Sequence, residues 1–138
     1  MVPMIFEHFA GKEVCSTEAE ARAAFAQAVD GVNAFNIYTD ADGVYPYLSV
    51  MVNGNCAYIW YAPDEESAGF QVYGNDLELD AEGDMVFYIN TPTEEMQVPN
   101  NYVCSKETAL QVVLEFMKRE DWPTGYEELP NCVEWEEL

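Results

Sequence analysis

The spacing of apolar and polar positions changes period along this chain, and each change marks an element. From Tyr47 to Ala62 the sequence YLSVMVNGNCAYIWYA alternates with period two on both sides of Asn53-Gly54. Alternating runs joined at Asn-Gly predict a β-hairpin. Its two-residue loop falls at 53–54 or at 54–55. With either loop, Leu48, Val50 and Val52 share a face with Ala57, Ile59 and Tyr61. Tyr47, Ser49 and Met51 share the other face with Cys56, Tyr58 and Trp60. The first face has the composition of a core. AFNIYT (34–39) predicts a short strand and DADG (40–43) a turn. GFQVYG and DMVFYIN predict two more strands separated by the acidic turn region NDLELDAEGD, and TPTEEMQVPN reads as a proline-marked loop or irregular edge.

Helical spacing occurs twice. In STEAEARAAFAQAVDG (16–31), Thr17 caps a helix with Glu20 at capping-box spacing, and Gly31 follows the last periodic residue. Its apolar stripe is Ala19, Ala23, Ala26 and Val29, with Phe25 beside it. In SKETALQVVLEFMKRE (105–120), Ser105 is the cap and Ala109, Val112, Val113 and Phe116 form the buried stripe. Lys118 and Arg119 fall in the last turn, where cations favour the helix dipole, and Asp121-Trp122-Pro123 ends the helix. In NCVEWEE (131–137), Val133 and Trp135 alternate against Cys132, Glu134 and Glu136. That predicts a half-buried strand with Trp135 and Val133 as a structural anchor and its acids in solvent. The order of elements predicts an α+β fold. An antiparallel sheet of about five to six strands, centred on the Asn-Gly hairpin, packs with two helices in one domain over 1–138.

Composition adds one strong feature to this globular pattern. Hydrophobic residues are 49% of the 138, with 14% aromatic, but 26 Asp and Glu face 5 Lys and Arg, for a net charge of −21. Such a surface repels phosphate backbones and anionic lipid, so direct nucleic-acid and membrane binding are not expected. It serves solubility, and it suits a basic protein partner. The first residues show no signal-peptide pattern and no stretch reaches the length of a membrane span, so the expected location is the cytoplasm. There Cys15, Cys56, Cys104 and Cys132 are expected to be reduced and buried, with no C-x-x-C among them. A zinc site built from them and His8 is the alternative; the reading takes neither metal nor cofactor.

Catalytic signatures are missing. The one histidine, His8, falls in an N-terminal stretch expected to be mobile, with no nucleophile motif beside it. No phosphate-binding or dinucleotide-binding glycine motif is present, and DADG lacks the third ligand of a calcium loop. The chain reads as a non-enzyme.

Several stretches together resemble immunity-protein family one (Imm-one) of bacterial polymorphic toxin systems. YPYLSVMVNGNCAYIWYAP is similar to that family's central hairpin, P-x-L-x-V-x-V-N-G-x-x-A. GFQVYG is similar to its G-[FW]-x-S-x-G strand, with Gln71 where serine is common. VPNNYVCSKETALQVVLEFM is similar to the segment leading into its C-terminal helix, and TGYEELPNCVEWEEL to its closing T-G-x-x-P-x-x-V-x-W-x-E, with a longer gap before Pro130. The likeness covers roughly 34–138. It implies an α+β protein that binds a toxin encoded beside it, often one of the nucleic-acid deaminase fold.

The aromatic face of the hairpin is the expected toxin-binding patch. Tyr47, Tyr58 and Trp60 would form its centre, with Asp64, Glu65 and Glu66 just beyond. Tyrosine and tryptophan dominate interface hot spots, and rim acids steer association. The competing expectation is that a helix covers this face and makes the aromatics core. Two other functions compete. A nucleic-acid mimic that blocks another DNA-binding protein would carry its acids in a line at phosphate spacing, and a minor acidic enzyme or small-ligand module would show a deep pocket with converging polar groups.

Overall fold

The computed structural model describes residues 1–39, 43, 45–74 and 76–138. The turn expected at DADG lies, apart from Gly43, outside the described residues. In chain order the elements are β1 (Met4–His8), β2 (Gly11–Cys15), α1 (Glu18–Phe25), β3 (Val32–Tyr38), β4 (Tyr47–Asn53), β5 (Cys56–Ala62), β6 (Phe70–Tyr73), β7 (Asp84–Tyr88), β8 (Glu95–Pro99), β9 (Cys104–Ser105), α2 (Lys106–Met117) and β10 (Glu134–Glu137). The fold is α+β. Eight strands form one antiparallel sheet in the order β10-β6-β5-β4-β3-β1-β2, with β9 beside the start of β5. β7 and β8 form a separate hairpin.

The Asn-Gly hairpin is the centre of the sheet, and its loop is Gly54-Asn55, because Asn53 pairs with Cys56. Leu48 lies opposite Tyr61, Val50 opposite Ile59 and Val52 opposite Ala57, and all six are buried. On that face α1 and α2 close a core around Phe6, Phe35, Ile37, Tyr61 and Phe116. Ser105 caps α2 by accepting from Thr108 N–H at 3.1 Å, and Ala109, Val112, Val113 and Phe116 are buried as expected. The helix ends earlier than expected, at Met117, with Lys118 as its C-cap and Arg119 beyond it. Trp122 instead packs back into the core, 4.9 Å from the Phe116 ring, while Tyr61 donates its hydroxyl to Pro123 O at 2.5 Å.

The first helix differs in phase and length. Thr17 caps it, accepting from Glu20 N–H at 3.1 Å, but the buried residues are Ala21, Ala24 and Phe25, and Ala19, Ala23 and Ala26 are exposed. Alanine carries too little apolar area to choose a face; Phe25, edge-on to Phe35 at 4.7 Å, chooses it. The helix stops at Phe25, and Asp30-Gly31 is not a helix end. Both residues have positive φ (52° and 82°), and Val29 and Val32 exchange backbone hydrogen bonds of 2.8 and 3.1 Å across them. That is the two-residue Asp-Gly hairpin turn.

The N-terminal stretch is a strand pair. β1 and β2 pair with each other, and β1 joins β3, which widens the sheet beyond the expected five to six strands. His8 is held there, its side chain 1% exposed. Its Nδ1 accepts from Ala10 N–H at 3.2 Å, which leaves Nε2 to donate to Glu13 at 2.8 Å. At the other edge β10 pairs with β6, and Trp135 is buried with its indole N–H on Pro130 O at 2.9 Å. Val133 packs partly buried against the same core. Glu136 is not simply solvated: it accepts from Tyr102 at 2.9 Å and from Gln71 at 3.2 Å. Cys15 and Cys104 are buried, Cys56 is half-buried, and Cys132 is exposed, against expectation; all four are free thiols. Among the described residues no helix is long and apolar enough to cross a membrane.

Candidate functional site

The second face of β4 and β5 is covered in part, and by strands. TPTEEMQVPN, expected as a loop or irregular edge, supplies the turn and β8 of the β7–β8 hairpin, and that hairpin folds across the sheet. Phe87 and Val98 press onto Met51 and Tyr58, and with Val103 these form a second, smaller core. Asn53 fastens the hairpin by donating to Val86 O at 2.9 Å. Tyr58 is thus 7% exposed, and its hydroxyl donates to Gln71 at 2.7 Å. Burial pushes that phenol up to about 12, so it stays neutral.

The hairpin covers only part of the face. Beside it lies an open groove of about 800 Å3. Its floor includes a cross-strand row, Glu7–Asn36–Ser49–Trp60, in which each residue pairs with the next on β1, β3, β4 and β5. At about 4.8 Å per strand the row runs roughly 14 Å. Ile89, Asn90 and Met96 of the β7–β8 hairpin form one wall, and Ala68 and Leu138 contribute on the other side. Tyr45, Tyr47 and Trp60 make an aromatic corner. The Tyr45 and Tyr47 rings lie 5.3 Å apart and tilted by 43°, and the Tyr47 and Trp60 rings 5.5 Å apart at 74°. Tyr47 and Trp60 are half-buried and Tyr45 is exposed. Burial, with Tyr45 alongside, raises the Tyr47 phenol above its ordinary value.

The loop after β5 fixes the indole. Asp64 accepts from the N–H groups of Glu66 and Ser67, both at 2.9 Å, and Ser67 Oγ accepts from Gly69 N–H at 3.0 Å. Ala68 O then receives the Trp60 indole N–H at 3.2 Å. Gly69 has φ +94°, and a Cβ there would stand 2.3 Å from Trp60 Nε1, so only glycine lets the indole lie against this backbone.

The expected patch is therefore brought together in part. Tyr47, Tyr58 and Trp60 share the groove, Tyr58 buried where the hairpin meets the sheet. Asp64, Glu65 and Glu66 are exposed on the adjoining loop, which lines the groove only through Ala68. Asp64 shapes that loop. Further acids, Glu94 and Glu95, are exposed next to the wall residues Asn90 and Met96. Glu7, Tyr38, Tyr45 and Gly69 had no place in the sequence reading of the site. Tyr45 stands two residues before Tyr47, and period-two spacing assigns both to one side. Glu7 and Tyr38 depend on strand order, which the sequence does not show. Among the described residues no group of three or more His, Cys, Asp or Glu gathers to hold a metal ion. In comparisons with known proteins, no family model and no curated sequence matches the chain.

Proposed function

We propose that this chain is an immunity protein. In this reading it binds a basic, nucleic-acid-acting toxin in the cytoplasm and neutralises it stoichiometrically, without catalysis of its own, through the groove and its acidic surroundings. The observation that carries the reading is the half-open aromatic corner of Tyr45, Tyr47 and Trp60, set in a chain of net charge −21. Partly open tyrosine and tryptophan in a concave site are what tight interfaces use as anchors. Exposed carboxylates around them raise the rate of encounter with a positive partner. A toxin that acts on nucleic acid needs a positive cleft, and an acidic inhibitor is suited to cover it. The resemblance of the hairpin, the C-terminal helix and the closing VEWEE to Imm-one proteins points the same way.

Co-expression tests this. Cells making the toxic C-terminal domain encoded beside this chain are expected to survive when the chain is made with it, and to die when it is not. Equal killing in both would refute the proposal.

A further inference from the structure

The groove discriminates among occupants by what its walls carry. Among the described residues lining it there is no lysine or arginine, and the single side-chain carboxylate is Glu7. An anion would meet neither among those residues, the nearest lysine being Lys12, which is already beside Glu7 at 3.9 Å. A purely apolar side chain would strip water from Glu7, Asn36 and Ser49 along the floor without replacing their hydrogen bonds. A cation meets neither penalty.

The aromatic corner fits the same ligand. Trp60 has already given its indole N–H to Ala68 O at 3.2 Å, so what it offers a ligand is ring surface and not a donor. The Tyr47 ring meets it at 74° and Tyr45 is tilted 43° from Tyr47, so the three rings turn a corner and do not form one flat stack. Ring faces arranged at angles attract a positive charge held among them. The molecule makes a miniature of this contact at the other end of the groove. Lys12 Nζ lies 5.9 Å from the centre of the Tyr38 ring and 3.9 Å from Glu7 Oε2, which also accepts from the Tyr38 hydroxyl at 3.2 Å. Both Lys12 and Glu7 are more than half exposed, so that pair is open to exchange.

We infer that the groove is an arginine slot: a protein partner places one arginine of a basic segment against Tyr45, Tyr47 and Trp60, while Glu7 at the opposite end draws in positive charge. Arginine fits better than lysine. Its planar guanidinium stacks on rings, is less strongly hydrated than an ammonium, and carries donors for the hydroxyl and amide acceptors of the floor. The inference rests on the binding role proposed above and names what that site grips.

A titration of the full-length protein tests it without the toxin. A capped Gly-Gly-Arg-Gly-Gly peptide is added while the three indole N–H resonances are followed by NMR, against the same peptide carrying neutral citrulline. Trp122 and Trp135, each 7% exposed in the helix-side core, serve as internal references. The arginine peptide is expected to move the Trp60 resonance alone, with citrulline binding at least about fivefold more weakly. Tyr47→Leu is expected to weaken the arginine peptide by about the same factor, and Glu7→Gln by about twofold. Equal binding of the two peptides, or no movement of Trp60 at tens of millimolar peptide, overturns the slot. A silent titration with intact rescue in co-expression overturns the slot and leaves the immunity role standing. A positive titration without rescue does the reverse.

Discussion

Two faces of the same two strands have opposite fates. Toward the helices, β4 and β5 present Leu48, Val50, Val52, Ala57, Ile59 and Tyr61, all buried. Toward the hairpin they present Tyr47, Ser49, Met51, Tyr58 and Trp60, of which Met51 and Tyr58 are covered and the rest half-open. The covered face is nearly free of polar atoms, and its one hydroxyl, on Tyr61, is bonded to Pro123 O. On the half-open face Tyr47, Tyr58 and Trp60 have an apolar body and a polar tip. Two of those tips are tied off at the margin, Tyr58 on Gln71 and Trp60 on Ala68 O. Complete burial selects side chains with little to desolvate, whereas a face that meets both protein and water selects amphipathic rings. The difference separates what holds the molecule together from the face proposed to bind.

Substitutions on the two faces should therefore part company. The largest expected effect is from Trp135→Ala, which removes a ring buried against Phe116 and should lower the unfolding free energy by about 3–5 kcal/mol in a denaturant titration. Its folded fraction should still bind the proposed toxin partner. A wild-type unfolding midpoint with binding lost would put Trp135 in the interface and erase the distinction. Gly69→Ala comes next, at roughly 1–3 kcal/mol, because a side chain is strained at φ +94° and collides with Trp60. It should also shift the Trp60 indole resonance, and an unmoved resonance would show that the loop does not set the ring. Trp60→Leu should cost less than about 1 kcal/mol of stability, since the ring is half exposed; a core-sized loss would make it part of the scaffold.

The smallest effect concerns pH. Hydrogen bonds from His8 and Gln27 hold the Glu13 carboxyl below its usual 4.5. Its folded pKa is thus lower than its unfolded one, so its stabilisation is full above about pH 4.5 and fades as the pH falls through the folded value. Glu13→Gln should flatten the acid limb of the stability profile and leave both faces untouched near neutrality. An unchanged acid limb would remove Glu13 from the account.

The sequence disclosed what is local. Asn53-Gly54 places the central hairpin, period two sorts its faces, and Thr17 and Ser105 mark two helix starts. It disclosed much less of what depends on partners distant in the chain. Asp30-Gly31 serves equally as a helix end or a hairpin turn, and only the pairing of Val29 with Val32 decides. Met4, Phe6 and His8 do alternate inward, but Ile5 interrupts the pattern, and the turn at Phe9-Ala10 has none of the usual turn residues. DMVFYIN reads as a strand without saying which sheet it joins. Its place over Met51 and Tyr58 creates the groove wall, so the site was visible as a set of aromatics and not as a cavity. Glu7 reached the site through β1, three strands from Trp60.

The most direct test of the division between faces is the affinity of the Tyr47→Ala/Trp60→Ala double variant for the toxin domain proposed as its partner, measured by calorimetry beside its unfolding midpoint. At least about 2 kcal/mol of binding free energy should be lost, roughly thirtyfold, from a protein that unfolds close to wild type. Wild-type affinity in that variant would contradict the account, because the groove would then have no part in gripping the partner.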